Sequence, residues 1–136
     1  MKITLKKYTK YNEADILPLY KAVGWSNYTE RPDMLKAAYD GSLCTLAAYD
    51  GERVVGIIRA VGDKASILYV QDIIVLPEYQ RRGIGTRMVQ KLFELYSDCY
   101  QKVLLTDNVS ASEAFYRSIG LYPAKEFGCM AYFRTY

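Results

Sequence analysis

Histidine is missing from these 136 residues. With it go the commonest metal ligand and the commonest general base at neutral pH. Cysteine is scarce: Cys44, Cys99 and Cys129 are odd in number and show no Cys-x-x-Cys spacing, which argues against a disulfide framework and a zinc site. No apolar run approaches membrane-spanning length, and the N-terminus lacks a signal-peptide pattern. Charge excess is also lacking. A net charge of +3 demands no nucleic-acid partner. Basic residues are spread along the chain except for a tight group at Arg81, Arg82 and Arg87, which suits a small anion better than a duplex. Together these absences lead us to expect a cytoplasmic, reducing setting, with no metal, no membrane and no nucleic acid.

What is present fits one soluble domain over residues 1–136. The hydrophobic fraction is 51% and the charged fraction 24%, both ordinary for a globular chain, and the length allows one real core. Tyrosine is abundant, at 14 residues. A phenol has an apolar body and a polar tip, so most of these should pack and a few can line pockets.

Residues 2–8 alternate apolar and polar, as in a half-buried strand. Two helices should follow, over about 13–23 and 32–40. Pro18 is tolerable only in a first turn, so the first helix should start late, near Asp15; Pro32 opens the second. A meander of three strands comes next: Leu43–Tyr49, Val54–Val61 and the almost wholly apolar Ile67–Leu76, with turns at Asp50-Gly51 and Gly62-Asp63-Lys64. Residues 84–97 read as an amphipathic helix with Met88, Leu92, Phe93, Leu95 and Tyr96 inward. Lys102–Thr106 reads as a short strand. Ser110 and Glu113 form a capping-box pair opening a helix that stops at Gly120. A closing strand over about 127–135 completes the order β-α-α-β-β-β-α-β-α-β, an α/β (α+β) arrangement with a mixed, mostly antiparallel sheet flanked by helices.

The informative unit is a strand ending at Pro77, then Gln80-Arg81-Arg82-Gly83-Ile84-Gly85-Thr86, then a helix. A helix start leaves N–H groups unpaired and partly positive. Gly83 and Gly85 remove side chains that would keep an anion away, and Arg81 and Arg82 add charge at the rim. Rival phosphate loops fit worse. Gly85-Thr86-Arg87 lacks the Walker lysine, and Met88 stands where the dinucleotide fingerprint needs its third glycine. By itself, a Gly-x-Gly turn with arginines justifies only an anion.

The run Ile73-Ile74-Val75-Leu76-Pro77-Glu78-Tyr79-Gln80-Arg81-Arg82-Gly83-Ile84-Gly85-Thr86 resembles the acetyl-CoA-binding signature of the GNAT N-acetyltransferase superfamily. Asn108 and the run Ala114 to Leu121 are similar to its second block. The resemblance covers essentially the whole chain. It implies a splay between two parallel central strands, with the backbone of Ile73, Ile74 and Val75 holding the pantetheine arm. The loop amides from Arg81 to Thr86 would hold the pyrophosphate, with Gln80 also among the cofactor contacts, and Asn108 would contact the pantetheine or acetyl end. Acetyl-CoA would serve as cosubstrate. A homodimer is also implied, with the closing strand as an edge for pairing.

The activity so implied is acetyl transfer to a primary amine, most readily of a small molecule, by direct attack on the thioester. A non-catalytic acyl-CoA sensor and a transferase acting on protein N-termini or lysines stay open as alternatives. The leaving thiolate benefits from an acid; Tyr116, in the second block, is the candidate, and it also counts among the cofactor contacts. The Val75 N–H is the candidate oxyanion donor. Asp72 lies in an apolar strand, where an unpaired carboxylate is costly. It is either a base raised by burial or a hydrogen-bonded brace, with the brace favoured. Glu30 and Asp33 could also reach the acceptor, or a water chain could serve as base. Trp25 and Tyr28, in what looks like an exposed turn, and Tyr39, Met130, Tyr132 and Phe133 are candidate linings for the amine.

Overall fold

The computed structural model describes residues 2–135. The chain forms two compact units, residues 1–105 and 106–136.

The first unit holds the whole sheet. Its elements are β1 (Ile3–Lys7), α1 (Glu13–Ala22), α2 (Ser26–Thr29), α3 (Pro32–Asp40), β2 (Cys44–Asp50), β3 (Arg53–Gly62), β4 (Ile67–Val75), α4 (Ile84–Leu95) and β5 (Gln101–Leu104). The strand order is β1-β2-β3-β4-β5. The first three pairings are antiparallel and the β4–β5 pairing is parallel. The expected mixed α/β sheet is therefore present.

The meander follows from its turns. Gly51 takes φ 62°, and the Asp50↔Arg53 pair closes the β2–β3 hairpin directly over it. Between β3 and β4 the Asp63 carboxylate gathers the N–H groups of Ala65, Ser66 and Ile67 and the Ser66 hydroxyl. Those donors, the hydroxyl first, hold its pKa well below the usual carboxylate range. α4 buries Ile84, Met88, Val89 and Leu92 on one stripe, which packs against β2, β3 and β4. Each such side chain contributes about 1.5–3 kcal/mol through burial.

Several expectations change. α1 starts at Glu13, because the Asn12 side chain accepts from Ala14 N and caps it there. Pro18 thus sits inside the helix rather than in its first turn. Its core side chains are Ile16, Leu19 and Tyr20. The segment after Trp25 forms the short α2. Leu95 is exposed, since α4 ends there.

The second unit contains α5 (Ser110–Ser118) and a single 3₁₀ turn at Ala124–Phe127. The capping box does not form. Val109 is the N-cap, and Glu113 instead bonds Arg117 one turn on. The other end behaves as expected: Gly120 at φ 88° lets its own N–H reach Arg117 O and that of Leu121 reach Tyr116 O, a Schellman closure. The closing strand over 127–135 is absent among the described residues. Met130, Tyr132 and Phe133 are exposed there and pair with no strand. Gly128, left-handed at φ 76°, interrupts the segment near its start. The edge expected to serve a dimer is thus not formed.

Gly62 combines φ 144° with an Ile67 carbonyl oxygen 2.2 Å from where a Cβ would stand. Gly62→Ala should lower unfolding free energy by about 2 kcal/mol, read by urea denaturation. Gly51→Ala, which meets no such neighbour, should cost less.

Candidate functional site

The site begins with a strand that outruns its neighbour. Parallel pairing starts at Ile67↔Gln101 and ends at Val70↔Leu104, yet β4 continues to Val75. From Gln71 onward one edge of β4 has no strand beside it. Register decides which backbone groups face that edge. Leu76 N donates to Val55 O, and the β3–β4 register pairs Val75 with Gly56 and Ile74 with Ile57. In an antiparallel ladder, bonded and non-bonded pairs alternate. Ile74 and Asp72 therefore bond toward β3, and Ile73 and Val75 turn their N–H and C=O to the free edge. The Gln80 amide confirms this from the other side, donating to Val75 O at 3.0 Å. Of the three expected backbone contacts, Ile73 and Val75 are available and Ile74 is already used within the sheet.

The loop that follows reverses handedness repeatedly. Arg81 is left-handed at φ 63° and Gly83 at φ 77°, ψ 9°, with Arg82 between them. Such alternation turns successive N–H groups into one concavity that suits an anion. A non-glycine residue held left-handed costs of order 1 kcal/mol, so Arg81 stores strain in the loop. Helix α4 then starts with no side-chain cap and no acidic residue in its first turn. The space over Gly83 is empty to 4 Å. Ile84 is buried and anchors the helix, while Gly85 and Thr86 stay partly accessible. The Arg82 guanidinium lies 5.5 Å from the Tyr79 ring centroid, and Tyr79 Oη donates to Asp50 at 2.5 Å. Arg87 ties α4 to β1 through Ile3 O. These features together make room for a pyrophosphate.

On the helix α1–α3 side lies a buried polar network centred on Asp72. Its Oδ2 accepts from Tyr20 Oη at 2.7 Å, Arg59 Nε at 2.9 Å and Arg59 Nη2 at 2.8 Å. The Arg59 and Asp72 side chains are only 5% and 2% exposed. Arg59 Nη1 reaches Ser42 Oγ and Ala38 O, so both ends of the fork are satisfied. Tyr20 and Tyr39 hydroxyls lie 2.9 Å apart. Burial raises the pKa of both phenols, and neighbouring Asp72 adds to it. The placement is that of a brace joining β3, β4, α1 and α3.

Above this network Trp25 and Tyr28 are half-buried, not exposed as expected. Tyr28 lies 5.0 Å from the Tyr20 ring and 6.3 Å from Trp25. Tyr39 is core. Glu30 is exposed at the end of α2. Asp33 lines a cleft of about 690 Å³ with Tyr8, Tyr11 and Lys36. The strand residues of that cleft, Lys7 and Tyr49, come from β1 and β2, whereas the free edge belongs to β4.

In the second unit, Asn108 is exposed just before α5. Tyr116 is half-buried, with its ring 5.0 Å from Phe115. Burial raises the Tyr116 pKa, partly opposed by a hydrogen bond with Thr106. Asp107 accepts from Thr106 and Ser112, and these bonds, Ser112 first, lower its pKa.

Sequence reasoning missed Arg59, Tyr20 and Gln71. A signal for the first existed: Arg59 and Asp72 are the charged residues in the interiors of two mostly apolar strands, and two such residues on successive strands can pair. Among the described residues no cluster of acidic and cysteine side chains could hold a metal, and no helix is long and apolar enough to cross a membrane.

Comparison with known proteins places these features in context. The profile of the Acetyltransferase (GNAT) family matches residues 10–121. A GNAT-family acetyltransferase of Streptococcus pneumoniae TIGR4 is 39% identical, with 99% of this chain and 98% of that one covered and a TM-score of 0.91. An aminoglycoside acetyltransferase from an uncultured soil metagenomic sample shares the fold at 21% identity, 99% and 98% coverage and TM-score 0.76. So does AAC(6')-Iy, solved with the bisubstrate analogue CoA-S-monomethyl-acetylneamine, at 11% identity, 100% and 99% coverage and TM-score 0.74. Among curated protein sequences, none matches.

Removing one member of the buried pair should strand the other's charge. Asp72→Ala should cost about 3–5 kcal/mol of stability by chemical denaturation, and Arg59→Met with Asp72→Leu should recover much of it. An Asp72→Ala variant as stable as the parent would dissolve the brace.

Proposed function

This chain belongs to the GNAT acetyltransferase family, and we propose that it moves the acetyl group of acetyl-CoA to a primary amine of a small molecule by direct attack on the thioester. The observation that carries the reading is the free β4 edge leading through the Gln80–Gly83 loop to an uncapped helix start. Acetyl-CoA would supply the activated acyl group. The family match runs across both units, which supports one catalytic domain. Two similar folds named as aminoglycoside acetyltransferases support a small amine as acceptor. Three free thiols accord with a reducing, cytoplasmic setting.

Each residue then has a task. Ile73 and Val75 offer backbone groups to the pantetheine arm as a strand would. The amides from Arg81 to Thr86 hold the pyrophosphate, with Arg81 and Arg82 at its rim. Gln80, spent on Val75 O, fixes the strand end relative to the loop. The Val75 N–H is left to stabilise charge on the acyl oxygen. Asn108 orients the pantetheine or acetyl end. Tyr116 carries its proton at neutral pH as any phenol does, burial raises its pKa further, and that proton is available to a sulfur leaving group. Asp72 braces the site and is not the base. Trp25 and Tyr28 contact the acceptor, and water takes the amine proton.

Gly83→Glu should weaken acetyl-CoA binding about 100-fold or more by calorimetry, through charge and bulk placed where the anion sits. Gly83→Ala carries the same backbone strain without the charge and should bind far better. Equal, undiminished affinity in both would end the cradle reading. Tyr116→Phe should keep acetyl-CoA affinity and lose about 100-fold in turnover, measured by thiol release. Full turnover in that variant would remove Tyr116 from the chemistry.

A further inference from the structure

Gln71 stands at a junction that the assignments above leave without a role. The β3–β4 register runs Arg59↔Asp72 and then Ala60↔Val70. Two steps on β4 match one on β3, so Gln71 is the extra residue of a bulge. It is also the first residue past the last β4–β5 pair, Val70↔Leu104. The bulge thus lies where the free edge begins, two residues before Ile73.

A bulge re-aims side chains, and here the consequence is visible. Asp72 reaches Tyr20 and Gln71 reaches Tyr28, two rings only 5.0 Å apart. Neighbouring strand residues ordinarily point to opposite faces. Here both reach one aromatic cluster. Asp72 is buried and consumed by Arg59, whereas Gln71 is exposed. Its Nε2 donates to Tyr28 Oη at 3.2 Å. With the amide held this way, Oε1 stays available as an acceptor beside the half-buried Trp25 and Tyr28 rings.

We propose that Gln71 binds the acceptor amine, its Oε1 accepting an N–H of the substrate while Trp25 and Tyr28 cover the adjoining apolar part. This rests on the acyltransferase reading above. The chemistry favours an amide at this position. A carboxylate would hold the substrate as ammonium, which has no lone pair for attack. A neutral carbonyl oxygen aligns the amine and leaves it free to lose its proton. The carboxylate beside it on β4, Asp72, is already paired with Arg59.

The test uses the full chain with acetyl-CoA and four probe amines: 2-phenylethylamine, spermidine, L-lysine and neamine. Gln71→Leu should raise KM about tenfold for whichever probe the parent protein acetylates, the worth of one hydrogen bond, with acetyl-CoA affinity unchanged. Gln71→Glu should restore KM and lower kcat, because it binds the ammonium form. Tyr28→Phe should raise KM less than Gln71→Leu, since it only frees the amide to rotate. Parent-like KM and kcat in both Gln71 variants, with the parent active, would overturn the Gln71 assignment and leave the acyltransferase reading intact. No thiol release by the parent protein with any probe would overturn both. Thermal melting of each variant separates lost folding from lost recognition; at exposed Gln71 little change is expected, and Gln71→Glu then carries the decision through its KM-against-kcat split.

Discussion

Two charges that have left water together govern the middle of this protein. Arg59 and Asp72 face each other across β3 and β4 with almost no solvent contact. Neither could be buried alone without losing several kcal/mol to desolvation. The geometry compensates by using the whole guanidinium fork: Nε and Nη2 go to Asp72, and Nη1 goes to the Ser42 hydroxyl and the Ala38 carbonyl. Tyr20 adds a further donor to the carboxylate and hands on to Tyr39. Because these partners come from α1, the end of α3 and two strands, the pair sets where the helices lie against the sheet.

That placement has a cost in ladder regularity which the site exploits. The register shifts between Arg59 and Ala60, directly beside the ion pair. The extra residue, Gln71, emerges at the point where β5 stops. On one side of the shift β4 is a fully paired central strand. On the other it is a half-paired ribbon whose Ile73 and Val75 amides face outward and whose end is stitched to the loop by Gln80. The strained Arg81 and the left-handed Gly83 then turn the chain into α4. The backbone groups of β4 that no strand pairs are concentrated beyond the bulge.

The signals legible in the sequence were the local ones. The Gln80–Thr86 loop, the Asp50-Gly51 hairpin, the Gly120 stop and the order of strands 43–76 each depend on residues a few positions apart, so a one-dimensional reading can find them. The failures have separate causes. The closing strand over 127–135 has suitable residue types, but a strand exists only when another supplies its hydrogen bonds, and none does there. The Ser110–Glu113 box lost Glu113 to Arg117, a nearby competitor of opposite charge. The late start for α1 gave Pro18 too much weight against the Asn12 cap.

By itself, then, the sequence determined a glycine-containing loop between an apolar strand and a helix, and the type and order of most elements around it. Only the tertiary structure decided which backbone groups of β4 are free, that Asp72 is consumed by Arg59, and that Gln71 rather than Asp72 faces the open side. The reason is physical. Glycine placement and helix capping are fixed by adjacent residues. Pairing register, bulge position and the partner of a buried charge are fixed by residues 13 to 52 positions apart, and those meet only when the sheet closes.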